Sequence, residues 1–570
     1  MAQLPPELRH SGVYVTSQLL GFDEPITEAD VIERLGGLSV YDCLGMVGRL
    51  SAALYVNPRS MTPSCQLPLV EWLARDVAPD LRDRLRNAVT KRGAVAVFDQ
   101  QLIHLARLAV QHADPSPPVG FSGTRSTDFL ICLFGVPDLL HEPEVDLRDS
   151  RQRLSWALRH CGINQSYERL TLWSVYFEVF RRIWPVLRAS GTPDADEAFE
   201  RYTGVDIEAF MTAGFAFSAS FANTTDGVGS RSALDPADYF SSTELDEAVW
   251  KAFLQTSASS LDDLRSRIAD EEQRWGETPF GSLAIEKTPL LLGPDGRCYL
   301  LNMGALDRRV THGILHLLAE ESTSEGLERE HFTAPFGAAF QKWAEGCLER
   351  GMKHVPDPPD VIVDESYGTK QQQKRTSDIV LRYPHTLVMV EVVAGPLQAR
   401  TVTRGDLEAF DRDFAKLVEK KAEQLDKRAN EIFNGETTGI GLDPAGIREV
   451  WPVIVTATPF PQRPEIGLEV RRRIKDAGLL KGRVFRPIAI ISAEDLAAAE
   501  GALEEGTSFL DLLRGWKSHR RTGDHSFKNY LIDRETNKRR KPASHHATMF
   551  DEACEAMIAH VFPGGLSDSD

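Results

Sequence analysis

The sequence has no apolar run of 18 or more residues, which excludes a transmembrane helix at the level of the sequence. Its N-terminus, Met-Ala-Gln-Leu-Pro-Pro-Glu, lacks the charged and apolar regions of a signal peptide. Cysteine is sparse: seven residues, at 43, 65, 132, 161, 298, 347 and 554, odd in number and never spaced Cys-x-x-Cys. That pattern argues against a disulfide framework or zinc knuckle and predicts reduced, mostly buried thiols in a cytoplasmic protein. Positive charge is in deficit as well. A formal net charge of −18 excludes a protein that coats DNA generally, because phosphate affinity is largely electrostatic. There is no internal repeat, no Gly-x-Ser-x-Gly elbow and no zinc-deaminase spacing. Gly439-Ile440-Gly441 and Gly227-Val228-Gly229 lack the Gly-Lys-Ser/Thr of a phosphate loop. His312 and His316 have the i, i+4 spacing of a metal pair, but no third ligand follows, so they read as a satisfied core or surface pair.

A hydrophobic content of 42% and a charged content of 26% are those of an ordinary globular protein. At 570 residues the chain is too long for one core. The fold class expected is α+β, with a mainly helical N-terminal half. Over residues 1–275 apolar side chains recur at helical spacing, as in Leu69, Trp72, Leu73, Val77 and Leu81. Leu170 to Leu187 is a second such run, rich in aromatics. This half reads as a recognition or oligomerisation region, the place for a protein partner or a second copy. Residues 276–335 read as a connecting region: a hairpin turning at Asp295-Gly296, then a helix from Leu306 to Leu318. Residues 336–515 alternate helices and strands. Residues 516–570 form a basic arm and a last helix. Between Arg514 and Lys541 ten Lys or Arg stand against three Asp or Glu, interleaved with Trp516, Phe527 and Tyr530. Such an arm can hold nucleic acid by phosphate contact and stacking, with Arg539 and Arg540 among the contacts, or it can be a solvated loop.

The most informative residues are Asp378 and Glu391. Two β-branched apolar runs, Ile379 to Tyr383 and Thr386 to Val393, flank a Pro384-His385 break and read as a hairpin. A hairpin folded symmetrically about that turn places the two carboxylates across from each other, roughly 5 Å apart at Cβ. Opposed like charges in an apolar sheet repel and are costly to desolvate, and a divalent cation between them removes both penalties. A one-residue slip would separate them. Solvation at strand ends, or pairing with Lys374, Arg375 or Arg400, is the structural alternative.

From residue 336 the predicted order is helix, three strands, helix, strand, helix, strand. With Asp378 opening the second strand and Glu391 ending the third, it resembles the PD-(D/E)XK nuclease superfamily over about residues 330–500. The resemblance implies a restriction-endonuclease-like α/β domain with a mixed central sheet, Mg²⁺ or Mn²⁺ as cofactor and DNA as substrate. It implies that Asp378 and Glu391 hold the metal, which activates water for attack on a phosphodiester. It also implies a role in bacterial restriction or anti-phage defence. Gln424, on a long amphipathic helix from Asp406 to Phe433, resembles a glutamine that some branches use to contact DNA. Two positions depart from the pattern. Val393 stands where the triplet Glu-x-Lys has its lysine, and Gln341, after Phe340, stands where a glutamate is common. Glu345, one turn beyond, is the substitute ligand. Lys374 is the displaced catalytic lysine expected, with Lys420 and Lys421 as alternatives for that ammonium and as nucleic-acid contacts beside Gln424. The alternative implied by the lost lysine is a degenerate nuclease fold kept as a DNA- or protein-binding scaffold.

Overall fold

Helical periodicity in the N-terminal half is realised as a succession of helices, among them Ser150–His160 (α1) and Arg169–Phe177 (α2). The computed structural model describes residues 14–57, 62–140, 145–160, 169–188, 192–225, 228–324, 326, 330–369, 372–519, 526–534 and 542–561. After α2 the aromatic run continues through a π-helical turn, Glu178–Ile183, and faces inward, burying Trp173, Tyr176, Phe180 and Trp184. None of the helices among the described residues is long and apolar enough to cross a membrane.

Strands enter before the composition change near residue 280. Ala258–Ser260 (β1) pairs in parallel with Leu290–Leu292 (β2), which pairs antiparallel with Cys298–Leu300 (β3). A boundary at residue 275 therefore cuts through a three-stranded sheet. Three residues continuing directly from the helix Glu247–Ser257 carry too little alternation to announce β1. The helix expected over 306–318 is two, Met303–Arg309 (α3) and Gly313–Ser324 (α4). A Cβ at Gly313 would come within 2.8 Å of the Arg308 carbonyl oxygen, so the close approach at the break needs glycine.

Asp307, near the end of α3, is wholly buried. It accepts hydrogen bonds from Trp173 Nε1 at 3.1 Å and from Ser218 Oγ. Burial pushes its carboxyl well above the usual range, against the pull of Arg308. A carboxyl raised in this way costs stability as pH rises from the unfolded-state pKa through the folded one. Asp307→Asn can keep both contacts, since Ser218 can turn to accept. It is expected to stabilise the protein by on the order of 1–3 kcal/mol at pH 8 and by nothing at pH 3, read from urea unfolding.

The second half opens with the helix Glu330–Met352 (α5) and the strand Asp360–Val363 (β4). A short hairpin follows, Ser366–Thr369 (β5) with Gln372–Arg375 (β6), where the polar sequence reads only as a loop. Next come Ile379–Tyr383 (β7) and Thr386–Val393 (β8). The long helix is interrupted: Leu407–Phe414 (α6) passes through a π-helical turn, Ala415–Glu419, into Lys420–Phe433 (α7). Glu449–Thr456 (β9), Pro464–Asp476 (α8), Ala489–Ser492 (β10) and Ala493–Glu504 (α9) complete the alternation. The capping box of Ser492 and Asp495 opens α9 as the sequence indicates. Ser544–Val561 (α10) is the last described helix.

The five-stranded sheet has the order β10-β9-β8-β7-β4. β8 runs antiparallel to β7 and parallel to β9, and β9 runs parallel to β10. Both faces are covered, as the near-continuous burial of β8 and β9 requires. On one face Ile379, Leu381, Val388 and Val390 share a core with Phe340 and Trp343 of α5 and Leu496 of α9. On the other, Val380, Leu387 and Met389 pack with Phe410, Leu417 and Leu425 and with Leu154 and Leu158 of α1. The helical half thus supplies part of the sheet's cover. The aromatics of the basic arm are core as well. Trp516, Phe527 and Tyr530 are buried, with the Trp516 and Phe527 rings 4.9 Å apart, so none of them is a stacking platform for bases. Arg539 and Arg540 lie outside the described residues.

Candidate functional site

The hairpin pairs Tyr383 with Thr386, and the ladder runs to Ile379 opposite Val390. One further step places Asp378 opposite Glu391, the register that symmetry about Pro384-His385 predicts. Asp378 lies just before β7, where its Oδ2 accepts the Val392 N–H at 2.7 Å. Glu391 lies near the end of β8 and is 5% exposed. Lys421, in the first turn of α7, reaches both. Its Nζ is 2.9 Å from Glu391 Oε2 and 3.8 Å from Asp378 Oδ2.

The electrostatics follow from burial and crowding. Desolvation first, and then the Asp378 charge, push Glu391 up to about 7 against the opposing pull of Lys421. Desolvation also raises Asp378, partly offset by Lys421 and the Val392 N–H. One ammonium serves two carboxylates, so the group remains electron-rich. Among the described residues Gln424 Oε1, one helical turn after Lys421, is a buried oxygen without a hydrogen-bond partner. Opposed carboxylates on adjacent strands are oxygen donors of the kind that a hard divalent cation takes. The residues present fit such an ion, which Asp378 and Glu391 would hold.

Glu345 is buried on α5, and burial raises its carboxyl, with a further contribution from Asp378. Its oxygens accept from Gln341 Nε2 at 3.0 Å and Lys342 Nζ at 2.6 Å. It senses the Asp378 charge, yet Glu345, Asp378 and Glu391 are not gathered to metal-binding distance of one another. Lys374 is placed elsewhere. Its Nζ pairs with Glu431 at 3.0 Å and Glu436 at 2.6 Å, while Tyr367 and Arg428 bond Glu431 as well. Glu431 is ten residues along α7 from Lys421, about 15 Å at the helical rise. Of the three lysines considered, Lys421 is therefore the one brought to the carboxylates. Lys420 is exposed on the neighbouring helical position.

A second cluster has no signal in the sequence. Cys347 of α5, Glu500 of α9 and His546 of α10 are all buried and lie close enough to share a metal ion. Arg350 already supplies the positive charge, however. Its Nε donates to Glu500 Oε1 at 2.7 Å, and its Nη2 to Cys347 Sγ at 3.4 Å. Burial raises the Cys347 thiol well above its usual value, which works against the thiolate a metal would need. His546 Nε2 lies 3.0 Å from Glu500 Oε2. Despite the cost of its burial, bonds from His546 and Arg350 bring Glu500 down to about 2. This cluster is a buried ionic fastening between three helices.

No protein-family model matches this chain, and no curated protein or solved structure shows significant similarity to it.

Proposed function

We propose that this chain is a metal-dependent nuclease-like protein of the PD-(D/E)XK type, acting on DNA phosphodiesters with Mg²⁺ or Mn²⁺. The observation that carries this reading is the register-opposed pair Asp378 and Glu391 with Lys421 Nζ shared between them. The cation, when bound, supplies Lewis acidity and an activated water. Asp378 and Glu391 hold it, and the Val392 N–H keeps the Asp378 carboxylate turned toward the pair. Lys421 takes the part of the lysine that Val393 replaces, with its ammonium beside the attacked phosphate. Gln424, three residues after Lys421 on the same helix, takes the part of the glutamine that contacts DNA in this reading. Bacterial restriction or anti-phage defence is the setting we propose for such an activity, with DNA as the partner.

The test is cleavage of plasmid and single-stranded DNA with Mg²⁺ or Mn²⁺ by the wild type, Asp378→Asn and Glu391→Gln. The expected result is cutting that EDTA abolishes and that either substitution lowers by at least ~100-fold. Glu391→Gln has a second readout. Since Glu391 is raised to about 7, its ionisation costs stability as pH climbs from the ordinary glutamate range through 7. The metal-free variant should therefore exceed the wild type by about 1–3 kcal/mol at pH 8 and by nothing near pH 4.

One observation favours a second reading. Lys421 already neutralises part of the pair, and Val393 leaves no lysine in the triplet. A scaffold that has lost its chemistry would retain DNA in EDTA while neither wild type nor variant cuts.

A further inference from the structure

At the carboxyl ends of the parallel strands β8 and β9 lies a cleft of about 1230 Å³. Ligands of open α/β sheets bind at such ends. One wall comes from the connecting region, through Arg309 of α3, His312 just before α4 and His316 within it. The facing wall is the segment after β8, with Arg412 of α6 and Lys416 of the π-helical turn. Seven arginine or lysine side chains line it against three carboxylates, in a chain of net charge −18. Two of those carboxylates already have cations, Glu286 with Arg308 and Glu320 with Lys287. The third, Asp413, accepts from the Gln398 N–H and Thr401 Oγ1.

Among the described residues Arg309, Arg412 and Lys416 make no ion pair. Arg309 is 8% exposed, and burial pushes its guanidinium down to about 10. Nη2 donates to the Thr256 carbonyl at 2.6 Å, but Nε has no partner. His312 Nδ1 is also without a partner, contrary to the satisfied pair that the sequence suggests. Glu320, already paired with Lys287, is the carboxylate whose charge reaches Arg309, and a buried cation with an idle donor and only a shared carboxylate is costly unless an anion from outside completes it.

We propose that this cleft binds nucleotide phosphate, with Arg309 taking a phosphoryl group on the α3 wall and Arg412 and Lys416 holding phosphate on the other. An arginine fork matches phosphate oxygens in a bidentate way that few other anions exploit as well. The volume exceeds the 300–1,000 Å³ usual for one small ligand, leaving room for more than one nucleotide unit. The anion site stands on these residues alone. The choice of nucleotide over another phosphate ester rests on the nuclease reading, because Val392, next to Glu391, lines the cleft.

The experiment is fluorescence anisotropy of a labelled single-stranded oligonucleotide with the full chain in EDTA, where a failure of catalysis cannot be mistaken for a failure of binding. Arg412→Ala combined with Lys416→Ala is expected to weaken binding at least tenfold and to flatten the salt dependence by about 1.4, or 0.7 for each phosphate that the variant leaves unneutralised. Arg309→Met should weaken it similarly; should that variant misfold, the exposed double variant decides. Asp378→Asn, which removes a negative charge, should bind no more weakly than the wild type. Competition by ATP at similar concentration identifies a free nucleotide as the ligand, and resistance to ATP identifies a strand. Absence of binding, or an affinity unchanged by the double substitution, overturns the proposal.

Discussion

Lys421→Ala is expected to lower metal-dependent DNA cleavage by about 10²–10⁴-fold, the range for loss of one positioned proton-transfer group. Lys374→Ala is expected to leave the rate within about twofold. The contrast rests on placement: Lys421 Nζ lies 2.9 Å from Glu391, whereas Lys374 is held by Glu431 and Glu436 at the far part of α7. Lys421 also competes with the metal for the same carboxylates. Its removal should therefore tighten the apparent Mg²⁺ affinity while kcat falls, a split that a merely structural role would not give. Measurement of cleavage rate against Mg²⁺ concentration for the wild type and both variants decides the matter. If Lys374→Ala is the silent enzyme and Lys421→Ala the active one, the ammonium has been assigned to the wrong residue.

The largest effect on stability should come from Glu500. Its side chain is wholly buried and holds Arg350 at 2.7 Å and His546 at 3.0 Å. Glu500→Ala leaves Arg350 with only Glu178, at 3.6 Å, and takes the acceptor from His546, a change of the kind that typically costs about 3–5 kcal/mol. The sign of the pH dependence follows from its low carboxyl. A group brought down to about 2 stabilises fully above the ordinary glutamate range and loses that contribution as pH falls toward 2. The wild type should therefore approach the variant in stability near pH 2.5, in urea titrations followed by circular dichroism. EDTA should leave the wild-type midpoint unchanged, since Arg350 rather than a metal balances the cluster. A fall in that midpoint with EDTA would instead make Cys347, Glu500 and His546 ligands.

The carboxylate pair was legible because its geometry is local. A two-residue Pro384-His385 break between β-branched runs leaves one symmetric pairing, and both carboxylates follow from it. The sequence points to Lys374 and leaves Lys421 as an alternative, because the direction of Lys421 depends on the π-helical turn at 415–419. The segment Ala415-Lys416-Leu417-Val418-Glu419 continues the apolar stripe, so periodicity alone passes through it without a break. The β5–β6 hairpin has a single aromatic, Tyr367, among polar residues such as Gln373, Lys374 and Arg375, and so carries no apolar alternation. Trp516, Phe527 and Tyr530 were ambiguous for another reason. Aromatics among basic residues suit either a stacking surface or a core, and only the packing of Trp516 on Phe527 separates the two. Glu500 and His546 meet across distant helices, which no spacing rule reaches.

The return of α10 to the helical half carries a consequence for biosynthesis. His546 Nδ1 lies 3.3 Å from Ser174 Oγ, 372 residues earlier, and His545 Nε2 lies 3.0 Å from Glu178 Oε1. The pocket beneath α2 is thus filled by some of the last described residues to leave the ribosome. At roughly 5–20 residues per second, the aromatic face around Trp173 waits about 20–70 s for its partner helix. During that interval the nascent chain presents apolar surface that later belongs to the core, and chaperone capture of truncated chains ending before residue 544 is the natural outcome.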